Sequence, residues 1–363
     1  MNRLSDKYTV LFIEEPGGVD ADHEEGSVTI EKINENLTVL TPHLHWTDWK
    51  VMCPQYFPIL EKYVEGINES LIWVYSPFYI YILNTLQPSM VVYDCMDELS
   101  AFKNASTNLP AYEKQVIGMA DVIFTGGKSL YEAKKELHPH VYCFPSSVDR
   151  DHFARAADET TAIPEDLLAI EKPIVGFYGV IDERLDFDLL KSVAEKMPEV
   201  SFVMIGPFVK IEMQDAAQAE NIFYLGKREY ALLPNYLKGM DVAMMPFAMN
   251  EATRFISPTK TLEFMAAEKP IVSTPIYDVV RDYSHVVAVA RDAQDFANLI
   301  QKFLTENDEE KERRQEAQQA IIEGTSWVNT VKEMENIIIA KRMSIESNGT
   351  KASAQFFENK QVL

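Results

Sequence analysis

Runs of Val, Ile, Leu and Phe, apolar at consecutive rather than alternate positions, recur along this chain and predict strands buried on both faces. In the first half they fall at residues 9–13, 70–75, 90–93, 121–124 and 141–144, with helical spacing at 108–119 and 129–137. Residues 16–35 break the pattern: they are acidic, carry Gly17-Gly18, and predict a loop with a short hairpin. Residues 150–171 are polar and Ala-rich and read as a linker. Strand and helix then alternate again, with strands at 173–180, 200–205, 222–225, 241–246, 270–274 and 286–290 and a helix at 187–197. Apolar strands alternating with helices predict parallel sheets covered on both sides, hence an α/β chain of two doubly wound halves. Residues 306–345 are helical in composition, and from Ser344 the pattern is lost. The expected organisation is a first domain over 1–150, a linker at 151–171, a second domain over 172–325, a helix at 327–343 packing back on the first domain, and a mobile tail at 344–363.

Composition narrows the function more than the fold. With 34 Lys and Arg against 56 Asp and Glu, the net charge is -22, which argues against nucleic acid as a partner. It leaves at most peripheral membrane contact. No apolar run reaches the roughly 18 residues of a membrane span; the longest candidate, 70–86, contains Ser, Pro, Asn and Thr. The first residues are no signal peptide, and Cys53, Cys95 and Cys143 are widely spaced. Reduced thiols in a cytoplasmic protein are the expectation.

The most informative stretch is 257–274, Ser-Pro-Thr-Lys-Thr-Leu-Glu-Phe-Met-Ala-Ala-Glu-Lys-Pro-Ile-Val-Ser-Thr. Ser257 suits an N-cap and Pro258 a first helical position, so a helix is expected to begin there. Lys260 falls in its first turn, where a cation opposes the helix dipole unless an anion such as a diphosphate offsets it. Glu263, one turn on, can accept two hydrogen bonds, as from the vicinal hydroxyls of a ribose. An ordinary capped helix with a solvated Lys is the competing reading.

Other motifs carry less. Gly127-Lys128-Ser129 resembles the end of a phosphate-binding loop, but Val122 stands where its first Gly belongs. Asp20-Ala21-Asp22 and Asp186-Phe187-Asp188 fall in a loop and at a helix start. His43 with His45, and His138 with His140, lack a third ligand, so no metal is expected. The chain has no GxGxxG.

Taken in order, the segments resemble the large retaining family 4 of GT-B glycosyltransferases. In the second half they are Val175-Gly176-Phe177-Tyr178-Gly179, Phe202 to Pro207, Ile222 to Gly226, Leu232 to Leu237, Asp241 to Phe247 and the 257–274 stretch. In the first half, Val92-Tyr93-Asp94-Cys95-Met96-Asp97-Glu98, Ala120-Asp121-Val122-Ile123-Phe124-Thr125 and Pro145-Ser146-Ser147-Val148-Asp149 resemble further family elements, with Ser-Ser in place of Asn-Gly. The resemblance implies two Rossmann-like domains facing across a cleft that closes on the substrates. It implies transfer of a sugar, with retention, from a nucleotide-diphospho-sugar to a glycan or lipid-linked acceptor in cell-surface polysaccharide synthesis, with neither cofactor nor metal.

Site roles follow from the same resemblance. Ser257, Pro258, Thr259 and Lys260 would hold the donor diphosphate, and Glu263 the ribose. Gly179 and Arg184 would lie at the phosphates, and Lys227 and Arg228 would follow the strand near the base with side chains toward solvent. Asp94 and Asp97 are either acceptor-facing carboxylates or structural residues. The family's first motif Glu is absent, its place taken by Phe255. That departure keeps open a non-hydrolysing nucleotide-sugar epimerase and a catalytically silent scaffold. The family also begins with a strand and helix before one like 9–13. The resemblance therefore implies an interrupted first sheet and weak or absent activity for the chain as written.

Overall fold

The structure is a computed structural model that describes residues 1–15, 27–43, 70–86 and 88–358. Gly17-Gly18, Asp20, Asp22, His45, Cys53 and residues 359–363 of the expected tail lie outside the described residues. The first described strands are β1 (Val10–Ile13), β2 (Ser27–Lys32) and β3 (Leu37–His43). They form one sheet in the order β1-β3-β2, with β1 parallel and β2 antiparallel to β3. A hairpin does form, but from β2 with β3, so its second strand lies beyond the 16–35 stretch in which it is expected. Sequence reading did not single out β3, although it is the central strand and buries Leu37 and Leu40.

The next strands are β4 (Leu71–Val74), β5 (Met90–Cys95), β6 (Val122–Thr125) and β7 (Val141–Cys143). They form a separate sheet in that order, with β4 and β5 parallel. Among the described residues no ladder joins the two sheets. The helix Leu109–Met119 lies between β5 and β6, and Lys128–Lys134 between β6 and β7.

In the second half, β8 (Ile174–Tyr178), β9 (Ser201–Ile205), β10 (Ile222–Gly226), β11 (Val242–Met245), β12 (Ile271–Ser273) and β13 (Ala288–Val289) form one parallel sheet. Its order is β10-β9-β8-β11-β12-β13. Numbered within this half, that is 3-2-1-4-5-6, the doubly wound order with its switch point beside the first strand. Every residue of β8, β9, β11 and β12 is buried, because helices such as Phe187–Lys196 and Ala293–Leu304 cover the sheet with Leu190, Val193, Phe296 and Ile300.

Residues 150–168 hold two short helices, Arg150–Ala154 and Glu165–Leu168, with Phe153 and Leu167 in the second-half core. The final helix runs Trp327–Glu358, past Met343 where the apolar periodicity ends. Two compact units result among the described residues. One draws on 1–94, 108–123 and 328–363, the other on 95–107 and 124–327. Within the first, Glu335 of the final helix accepts hydrogen bonds from Lys7 Nζ at 2.7 Å and Tyr8 OH at 2.6 Å.

Candidate functional site

β8 ends at the switch point, and the chain leaves it through Gly179, whose φ is +143°. A Cβ there would lie 2.3 Å from Lys260 Cε and 2.8 Å from Lys260 Nζ. That φ is what favours glycine, and it lets the end of the lysine pass close over the backbone. Gly206, at the end of β9 with φ +154°, is as tight: a Cβ would fall 1.7 Å from the Gly179 carbonyl oxygen. The loop that follows is laced to its neighbours. Gly179 N–H donates to Ile205 O, Ile181 N–H to Pro207 O, Asp186 N–H to Pro246 O, and Ala248 N–H to Arg184 O.

Lys260 opens the helix Lys260–Ala266. Its Nζ stands 5.6 Å from the Phe177 ring centroid, and it makes no hydrogen bond or ion pair among the described residues. Burial lowers its pKa; Glu263 and Asp182 oppose the shift and Arg184 adds to it. Glu263 accepts a hydrogen bond from Tyr178 OH at 2.5 Å. Burial raises the Glu263 pKa against that bond and the Lys260 charge, and the Tyr178 phenol is pushed well up by its own burial.

Arg184 is forked by Asp182, with Nε 3.0 Å from both carboxylate oxygens and Nη2 2.7 Å from Oδ2. Its guanidinium lies 5.5 Å from the Phe102 ring centroid. Asp97 belongs to the same unit; burial raises its pKa and the Arg184 charge partly offsets that. Gly179, Arg184, Lys260 and Glu263 are therefore brought together, with Asp97 close enough to interact with Arg184.

Other expected residues are placed differently. The helix starts at Lys260 with Thr259 as N-cap and no side-chain cap, so Ser257 and Pro258 do not fill the expected N-cap and first position. Pro258 instead accepts from Thr261 N–H at 3.1 Å, making a tight turn ahead of the helix. Ser257 packs beside Gly127, where an added Cβ would lie 2.8 Å from its own. The Arg228 side chain is partly exposed, and it is paired rather than free. Its Nη2 pairs with Asp166 at 2.6 Å and its Nε donates to Tyr236 OH at 2.6 Å, because the helix Glu165–Leu168 brings Asp166 to it. Lys227 is exposed.

Asp94 belongs to the first unit. It is buried, accepts from Trp73 Nε1 at 3.0 Å, and burial pushes its pKa up to about 6. His138 and His140 contact each other edge to face. Among the described residues no three His, Cys, Asp or Glu side chains form a group able to hold a metal, and no helix is long and apolar enough to cross a membrane.

Sequence reasoning missed Tyr178, Asp182, Phe102 and His152. His152 stacks on Tyr230 with centroids 4.3 Å apart, and its electrostatic influence reaches Glu263. Asp182 is the one with a signal: an acid two residues before an Arg in a loop leaving a strand.

Residues 172–306 match the family model for Glycosyl transferases group 1. The chain is 25% identical over 258 residues to TuaH of Bacillus subtilis (strain 168), a protein assigned to teichuronic acid biosynthesis as a glycosyltransferase. That match covers 66% of this chain and 64% of TuaH, so the chain spans less than two thirds of the relative it matches. Among solved structures, sucrose-phosphate synthase from Thermosynechococcus elongatus superposes with a TM-score of 0.70 at 12% identity, over 93% of this chain and 90% of the other. A UDP-forming trehalose-phosphate synthase from Burkholderia xenovorans gives 0.67 at 14%, covering 95% of each chain. Anabaena HepE, solved in complex with UDP and glucose, gives 0.63 at 14%, covering 84% and 86%. At such identities the likeness is one of fold, and that fold is GT-B. Within it, residues 172–306 are the part similar to the Glycosyl transferases group 1 family.

Proposed function

We propose that this chain is a glycosyltransferase that moves a sugar from a nucleotide-diphospho-sugar to a glycan or lipid-linked acceptor. The observation that carries the reading is Lys260. A partly buried ammonium lies over a glycine turn at the switch point of a doubly wound sheet, with no carboxylate paired to it among the described residues. An anion is what such a cation lacks, and Arg184 adds a second positive charge to its field. A diphosphate fits that pair of charges, and Glu263, one turn along, is the acceptor for ribose hydroxyls. Charge building on the leaving diphosphate would be stabilised by groups already in place, without reorganisation. Gly179 keeps the approach open; Ser257, Pro258 and Thr259 line the turn before the helix; the backbone of Lys227 and Arg228 lies toward the base. Asp97 and Asp94 are the carboxylates proposed for the acceptor hydroxyl.

The remaining terms of the proposal are retention at the anomeric carbon, no metal or cofactor, cytoplasmic localisation and a role in cell-surface polysaccharide synthesis. TuaH, assigned to teichuronic acid biosynthesis, supports the last of these. Neighbours described as UDP-forming or bound to UDP make uridine diphosphate the first probe. Calorimetry with UDP and GDP on the full chain tests the reading, followed by transfer from the matching nucleotide-sugar and determination of the product anomer. Wild type is expected to bind one diphosphate, and Lys260→Ala to bind it about ten- to a hundredfold more weakly, as loss of a charge-assisted contact implies. No heat with either nucleotide at millimolar concentration would sink the proposal.

A further inference from the structure

We propose that Phe102, on the loop between β5 and the helix Leu109–Met119, is a positioning residue for Arg184. Its ring holds the guanidinium so that the free Nη1 edge meets the donor diphosphate. The inference rests on the donor-binding reading above. Asp182 occupies the Nε and Nη2 side of the guanidinium, and Nη1 has no hydrogen-bond partner among the described residues. A planar cation pinned along one edge can still tilt about that edge. The Phe102 ring supplies the second constraint, with Arg184 Cζ 5.5 Å from its centroid.

Lys210 Nζ also lies over this ring, at 5.2 Å, so one aromatic face system serves two cations. The loop is tied on both sides of Phe102. Lys103 N–H donates to Glu183 Oε1 at 3.1 Å, and Lys210 Nζ lies 3.7 Å from the same oxygen. On the other side, Glu98 pairs with the buried Lys134 at 2.7 Å. Asp97, on the same loop, adds a negative charge toward Arg184. All of these residues belong to one compact unit. A loop carrying the proposed acceptor-side Asp97 thereby also sets the angle of the proposed donor-side Arg184. An aliphatic side chain would fill the same space without attracting a cation.

The test is UDP and GDP calorimetry on the full chain, with melting curves to verify folding. Phe102→Leu is expected to weaken diphosphate binding about three- to tenfold. Phe102→Tyr and Phe102→Trp should stay within about twofold of wild type, a rescue that simple packing would not produce. In an Arg184→Met background, Phe102→Leu should add nothing. Wild-type affinity in Phe102→Leu, equal losses in all three variants, or an undiminished loss in the Arg184→Met background would each overturn the proposal. If wild type binds neither nucleotide, the donor-binding reading fails and takes this proposal with it. A melting cycle on wild type, Phe102→Leu, Arg184→Met and the double variant, without ligand, separates the cases: it reports whether ring and guanidinium are coupled at all.

Discussion

Lys260 is the residue at which burial and function pull against each other. Its charged form is disfavoured by burial and has no ion-pair partner among the described residues. The folded chain therefore holds this proton less tightly than the unfolded chain does. The resulting penalty is full below the folded pKa and is relieved as the pH rises from there toward the ordinary lysine value. Lys260→Met is expected to raise the melting temperature at pH 7, while nucleotide binding falls. A melting point that drops would show the ammonium to be well satisfied. Asp94 tests the same logic with the opposite charge. Its carboxyl titrates at about 6 in the folded chain against an ordinary 3.8. Between those values the folded state binds more protons, so stability falls as the pH rises through that window. Asp94→Asn keeps an acceptor for Trp73 and should gain on the order of 2–3 kcal/mol relative to wild type on going from pH 4 to pH 7; parallel stability curves for the two chains would refute this. Lys260, Glu263 and Arg184 were legible because they stand at fixed offsets from Pro and Gly signals. Tyr178 and Phe102 were not: each reads as one more apolar residue, and its partner is distant in sequence.

At the scale of elements, strands buried on both faces announced themselves by composition, and those predicted lie within a few residues of the observed ones. β3 was harder to see because Thr38, Thr41 and Pro42 interrupt its apolar positions. The helix at Lys260 starts later than its Ser-Pro signal suggests, and Ser257 packs instead beside Gly127, a contact no local rule contains. The helix Lys128–Lys134 has no cap of its own; the Ser129 N–H reaches Asp278 at 3.2 Å, and Arg281 pairs with that carboxylate at 3.0 Å. Local signals are complete at Asn307, whose side chain accepts from Glu310 N–H while Glu310 accepts from the Asn307 backbone. Asn307→Ala should cost about 1 kcal/mol, read from denaturant midpoints at constant slope. Asp278→Ala should cost more, since it uncaps one helix and removes one of the two carboxylates paired with Arg281, leaving Asp282 alone. Equal costs for the two would mean that the distant cap contributes no more than the local one.

For the whole molecule, the division into two compact units determines where a ligand can be felt. Gly179, Arg184, Lys260 and Glu263 all fall in the unit built from 95–107 and 124–327, and Asp94 falls in the other. A ligand that binds only the folded state stabilises it by about 2.7 kcal/mol at a hundred times its dissociation constant. That stabilisation belongs first to the elements the ligand touches, because proteins open in local cooperative units rather than as one body. Hydrogen exchange with saturating UDP, or GDP if that is the nucleotide bound, should therefore slow most at residues 177–186 and 257–266. Residues 99–105 should slow too if Phe102 holds Arg184 as proposed. Slowing should be least at β1 and β3 of the first unit, where none of the proposed donor contacts lies. Protection concentrated in β1 and β3 with 257–266 unchanged would move the nucleotide away from Lys260 and remove the observation on which the proposed function stands.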